Sequence, residues 1–157
     1  MKKFFIFAML LVAGTMAFNS CNDKKDEPEA EEQDLKDKIE DLFKGQKFVY
    51  NYIDAYNHYN RSTFIFGQKE EFEWNIEGFA DEARTQRQVQ FVDRGTYKLN
   101  TSESTIYLNS TDGFYLDGLD TISKGPNRKP ETYTYAFSDG VLSMTDSQGN
   151  TYKYNKQ

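Results

Sequence analysis

From residue 46 onward, apolar and polar positions alternate with a period of two. Phe48, Tyr50 and Tyr52 share one parity, as do Phe64 and Phe66, then Phe72, Trp74 and Ile76. The alternation recurs at Val89 and Phe91, Tyr97 and Leu99, Ile106 and Leu108, and Phe114 and Leu116. It closes with Tyr133, Tyr135 and Phe137, then Leu142 and Met144, then Tyr152 and Tyr154. Two residues is the period of a β-strand, whose successive side chains point to opposite faces. Turn formers separate the runs: Gly67-Gln68, Gly78, Arg94-Gly95, Asn100-Thr101-Ser102, Asp112-Gly113, Asp139-Gly140 and Gly149-Asn150. Asp139-Gly140, flanked by two alternating runs, is the strongest hairpin signal. Segment 125–130, bounded by Gly and Pro, reads as an exposed loop. The pattern predicts about nine or ten short strands, the spacing of an all-β barrel or sandwich.

Before residue 46 the period changes. Leu35, Ile39, Leu42 and Phe43 fall at i, i+4, i+7 and i+8, one face of a helix. Asp34 suits its N-cap and Gly45 its C-terminal stop. A short helix therefore precedes the strands, and its apolar stripe is expected to pack on them. Residues 21–33 are mostly charged and contain no aromatic side chain. Such a stretch cannot bury enough apolar surface to offset the entropy of ordering, so it reads as an acidic tether. A single domain over 34–157 follows.

The first 20 residues are of another kind. Lys2 and Lys3 precede an apolar run from Phe4 that ends near Phe18, and Ser20 stands before Cys21, the single cysteine. A basic start, a short apolar stretch and a small residue describe a secretory signal peptide, too short and interrupted to span a bilayer. A lone Cys at the cleavage point resembles a bacterial lipoprotein signal, in which the thiol takes a diacylglycerol. The Phe18-Asn19-Ser20 approach and the following Lys25-Asp26-Glu27 resemble Bacteroidetes-type lipoproteins, where such a run marks export to the outer face of the outer membrane. That resemblance implies a membrane partner through Cys21 and an outer-membrane location. With the thiol so used, the folded part has no disulfide and relies on its core.

Charge narrows the partners. Residues 23–41 carry ten Asp or Glu against four Lys, whereas 42–157 carry 15 acidic and 13 basic residues. The acidity thus belongs to the tether, and the near-neutral domain lacks the cationic surface on which nucleic-acid affinity depends.

The C-terminal half has a recurring cadence. Gly95-Thr96-Tyr97-Lys98-Leu99 is followed by Thr105-Ile106-Tyr107-Leu108, then by Asp139-Gly140-Val141-Leu142-Ser143-Met144 and Gly149-Asn150-Thr151-Tyr152-Lys153-Tyr154. This resembles the small lipocalin-like (calycin-type) domains of Bacteroidetes-type lipoproteins. The resemblance covers about residues 46–156 and implies an antiparallel meander barrel; Gly45-Gln46-Lys47-Phe48 departs from it in lacking the usual Trp of the opening strand.

Residue chemistry gives little sign of catalysis. His58, the only histidine, lies in a polar connection, and Ser62 and Asp54 are near it only in sequence. Glu71, Glu73 and Glu77 would share one face of a strand, opposite Phe72 and Trp74, which is the pattern of a wet outer side rather than a carboxylate pair astride a glycosidic bond. One His and no spare Cys do not make a zinc site. No metal, cofactor or catalytic residue is assigned.

The aromatic load remains. Residues 42–157 hold nine Phe, eleven Tyr and Trp74. Each buried Tyr hydroxyl needs a partner, so eleven exceed what a small core satisfies. Strand propensity accounts for part of this; a Tyr-lined cavity for a small apolar or glycan ligand is the other account. Alternation places Tyr50, Trp74, Tyr97 and Tyr135 inward, and these four are the expected ligand-binding residues. Two other readings stay open: a module that grips another envelope protein by its rim, and a carboxylate-based hydrolase.

Overall fold

The computed structural model describes residues 28–118, 120–125 and 128–157, with the side chains of 28–32 and 121–123 left aside. The signal segment, Cys21 and Lys25-Asp26-Glu27 lie outside the described residues. One helix, α1 (Pro28–Asp41), precedes nine strands: β1 (Lys47–Ile53), β2 (Tyr59–Phe66), β3 (Glu71–Phe79), β4 (Arg87–Asn100), β5 (Thr105–Asp117), β6 (Asp120–Lys124), β7 (Glu131–Ser138), β8 (Val141–Thr145) and β9 (Thr151–Lys156).

The strand order is β4-β3-β2-β1-β9-β8-β7-β5, and β4 also pairs with β5. Eight antiparallel strands therefore close into a barrel, which leaves no open sheet edge around the ring. β6 stands outside the ring and pairs with the far half of β5. The expected fold, an all-β antiparallel meander barrel behind a short helix, is the one observed.

Inward residues follow the period of two. Phe48, Phe64, Phe66, Phe72, Trp74, Tyr97, Ile106, Leu108, Tyr133, Tyr135, Leu142, Met144 and Tyr154 form one buried cluster. The outward positions carry charge: Glu73 pairs with Arg94 at 2.8 Å, directly across β3 and β4, and Glu77 lies 3.8 Å from Arg87. The glutamates around Trp74 are thus on the wet face.

Three expected turns lie inside strands: Gly78 near the end of β3, paired with Asn60 and Val89, and two more within β4 and β5. Arg94-Gly95 and Asp112-Gly113 face each other across β4 and β5, where Arg94 pairs with Asp112 and Gly95 with Ser110, so Thr111 is an extra residue. A Cβ on Gly95 would lie 1.9 Å from the Asn109 carbonyl oxygen, and one on Gly113 would lie 2.4 Å from that of Val92. These glycines permit the close backbone approach of a β-bulge and do not reverse the chain. The bulge also flips the parity of β5. Tyr115, paired with Phe91 and stacked on it at 4.4 Å, shares the face of Ile106 and Leu108; Phe114 and Leu116 take the other. The Asp139-Gly140 hairpin joins β7 to β8 as expected.

The helix begins at Pro28, inside the stretch read as tether. Proline costs nothing at a first helical position, because its missing N–H would be unpaired there anyway. Asp34, expected at the N-cap, instead sits within the helix and pairs with Lys38. The stripe is only half used: Ile39 and Phe43 reach the core, whereas Leu35 is 53% exposed and Leu42 is 38% exposed. Contact with the barrel falls to Ile39 and to the turn that follows the helix. There Phe43 meets Phe66, Tyr135 and Phe137 edge-on at 5.1–5.2 Å and Tyr97 at 6.4 Å. Phe43 thereby plugs one end of the barrel.

Candidate functional site

The opposite end is open. A cavity of about 390 Å³ lies there among Tyr50, Tyr52, Ser62, Phe64, Trp74, Tyr133, Tyr152 and Tyr154, with Arg128, Glu131, Asp146, Gln148 and Asn150 around it. Five strands supply the aromatic wall, each through alternate residues of one face. An adjoining compartment shares Tyr52, Trp74, Ile76 and Arg128 and adds Asn60, Phe91 and Asp93.

The floor is fixed by a polar chain inside an aromatic stack. Trp74 Nε1 donates to Ser62 Oγ at 2.7 Å, and Ser62 Oγ lies 3.1 Å from Tyr154 OH. Phe64 stacks on the indole at 4.6 Å, and Tyr154 meets Phe64 edge-on at 5.2 Å. Tyr50 and Tyr52 stack on each other at 5.1 Å toward the mouth. These contacts hold the rings in one arrangement, so the wall is formed before anything enters.

The rim is charged and hydrogen-bonded. Tyr133 OH donates to Glu131 Oε2 at 2.6 Å, and Tyr152 OH donates to Asp146 Oδ2 at 3.2 Å. Asp146 also accepts the backbone N–H groups of Gln148 and Asn150 and the Asn150 amide, which shapes the β8–β9 turn. That amide, first among the causes, holds the Asp146 carboxyl below its usual range. Burial pushes the Tyr154 hydroxyl far up; burial and then the Glu131 bond do the same for Tyr133, and burial and then the Asp146 bond raise Tyr152. At neutral pH Tyr133, Tyr152 and Tyr154 are therefore neutral phenols beside a charged Asp146 carboxylate. The Arg128 guanidinium lies 3.8 Å over the Trp74 ring, a cation–π contact.

Of the three tyrosines and one tryptophan expected at a site, Tyr50 and Trp74 line this cavity. Tyr97 and Tyr135 do not. Both are buried at the plugged end against Phe43, and their hydroxyls have no hydrogen-bond partner among the described residues. The edge of Tyr97 reaches only a small surface groove beside Lys36, Glu40 and Lys44 of the helix. The period of two places a residue inside the barrel but not at one end of it. In a meander successive connections alternate ends, and that signal sorts them: Tyr97 and Tyr135 lie toward the β4–β5 and β7–β8 connections, at the same end as β2–β3. Tyr52, Tyr133, Tyr152, Tyr154 and Ser62 fall at the other end by this count once the strands are known. Arg128, in a loop, had no such signal.

His58 bonds Asp54 through Nδ1 at 3.1 Å on the surface, while Ser62 is engaged by Trp74 and Tyr154. The three side chains do not form one hydrogen-bonded chain. Among the described residues no group of three or more His, Cys, Asp or Glu could hold a metal ion, and no helix is long and apolar enough to cross a membrane. No family model matches the sequence, and no curated protein matches it.

Proposed function

We propose that the chain is a cell-envelope lipoprotein, acylated at Cys21 and held at the outer membrane, whose lipocalin-like barrel binds a small apolar or glycan ligand without transforming it. One observation carries the binding reading: the barrel is plugged by Phe43 at one end and has an aromatic-lined cavity at the other. Eight-stranded barrels are wide enough to hold one small ligand when side chains do not fill them. Flat rings with fixed hydroxyls suit stacking on a ring-shaped ligand and hydrogen bonding to its edge. The anchor reading rests on the leader sequence alone.

The test is a titration. Trp74 is the only tryptophan and borders the cavity, so its emission reports occupancy. Envelope oligosaccharides and short acyl compounds are titrated into the soluble chain lacking residues 1–21, and into Tyr152→Ala and Tyr56→Ala. A ligand that shifts Trp74 emission, binds at least tenfold more weakly to Tyr152→Ala and binds unchanged to Tyr56→Ala, whose ring is 80% exposed, fits the reading. Equal loss in both variants contradicts it. Loss of fatty-acid labelling in Cys21→Ala tests the anchor separately.

A further inference from the structure

We propose that the ligand of the open end carries a carboxylate seated on Arg128, and that it is an acidic sugar of one or two rings. This rests on the binding reading above and narrows it. The starting observation is an unmatched cation. Arg128 is the only Lys, Arg or His on the wall of the cavity among the described residues. Its guanidinium covers the Trp74 face at 3.8 Å and makes no hydrogen bond or ion pair with any described residue. A guanidinium offers five N–H donors in a planar fork that fits a carboxylate with two parallel bonds, and the indole face supplies no strong acceptor for them.

The carboxylates nearby are already provided for; Asp93, in the adjoining compartment, also has a partner of its own. Glu131 takes the Tyr133 hydroxyl, and Asp146 takes the Asn150 amide, two backbone N–H groups and the Tyr152 hydroxyl. Neither forms an ion pair with Arg128. An anion arriving at the mouth thus finds one cation whose donors are uncommitted among the described residues, held against the single tryptophan.

The rest of the wall indicates what the anion is attached to. Gln148, Asn150 and the rim tyrosines offer hydrogen bonds that a bare acyl chain cannot use, while the Tyr50 and Tyr52 rings offer faces on which the C–H face of a sugar rests. The volume, about 390 Å³, lies toward the low end of the ~300–1,000 Å³ typical of ligand cavities, enough for one or two rings. The chain carries a net charge of −6, so its overall field does not attract an acid. Affinity for a carboxylate then depends on Arg128 alone, which makes the test sharp.

Digalacturonate, its neutral methyl ester and phenylpropionate are titrated by calorimetry, which does not depend on Trp74 brightness, into the wild-type chain, Arg128→Gln and Arg128→Lys. Arg128 sits in an exposed loop, and an unchanged melting temperature checks that the variants fold. The expected result is that digalacturonate binds the wild type at least tenfold more tightly than Arg128→Gln, with Arg128→Lys in between. The ester should bind all three alike and weakly. An ester that binds the wild type as well as the acid, or an acid that binds Arg128→Gln unchanged, overturns the proposal and leaves the binding reading standing. Phenylpropionate binding in an Arg128-dependent way without digalacturonate overturns the sugar class. If no acid binds while neutral glycans or acyl compounds do, the proposal falls alone; if nothing in either panel binds, both fall.

Discussion

Ser62 and Trp74 sit diagonally across β2 and β3, and the indole donates its N–H to the serine hydroxyl at 2.7 Å. The same oxygen meets Tyr154 OH from β9, so one small hydroxyl serves two buried aromatic groups on different strands. Ser62→Ala should leave a buried indole N–H without an acceptor, costing about 1–3 kcal/mol. Urea denaturation checks the cost, and a shift of Trp74 emission in the native baseline checks its origin. An unchanged midpoint would show that the indole finds another acceptor.

Phe43 should anchor the helix. Its ring is fully buried and touches four aromatic rings at the plugged end. Phe43→Ala should cost about 3–5 kcal/mol, the usual range for a large ring lost from a core. Limited proteolysis should then cut within α1 sooner than in the wild type, while Leu35→Ala, at an exposed position, should change neither quantity.

Tyr97 makes an alkaline prediction. Burial, then the charges of Glu70, Glu40 and Glu71, push its hydroxyl up to about 12 from an ordinary 10.0. Below pH 10 the folded and unfolded chains both keep this proton. Above it the unfolded chain releases the proton first, so stability present at lower pH is lost as pH rises toward 12. Tyr97→Phe should therefore lose less stability than the wild type over that window, read from urea midpoints across pH. At neutral pH the variant should be as stable or up to about 1 kcal/mol more stable, because it removes a buried hydroxyl with no partner among the described residues.

Gly95→Ala tests the bulge. The added methyl would sit 1.9 Å from a backbone oxygen of β5, which no rotamer change relieves. A loss of about 1–3 kcal/mol or more is expected, as for overpacked sites generally. A neutral effect would return Gly95 to the turn that the sequence first indicates.

The barrel was legible in the sequence because its signal is local: alternation assigns faces, and Asp139-Gly140 and Gly149-Asn150 mark reversals. The length of β4 and β5 was not legible, since Gly95 and Gly113 look the same whether they bend a strand or end it. Without the true lengths of β4 and β5 and without β6, the alternation of connections that puts Tyr97 and Tyr135 toward the plugged end is not visible. Alternation alone therefore groups Tyr97 and Tyr135 with Tyr50 and Trp74, whereas only the latter two line the open cavity. The onset of α1 at Pro28 was hidden because the apolar stripe begins only at Leu35, so periodicity gave no sign of the turns before it. Arg128 was hidden because a loop carries no periodicity, and only the folded chain brings it over Trp74.

The central claim is that ligand enters the end opposite Phe43, and tyrosine-ring NMR tests it most directly. With all eleven tyrosines observed during titration of a ligand identified by Trp74 emission, the account predicts that the resonances of Tyr50, Tyr52, Tyr133, Tyr152 and Tyr154 shift while those of Tyr97 and Tyr135 hold still. Shifts confined to Tyr97 and Tyr135, or to Tyr56 and Tyr107 on the outer surface, would contradict it.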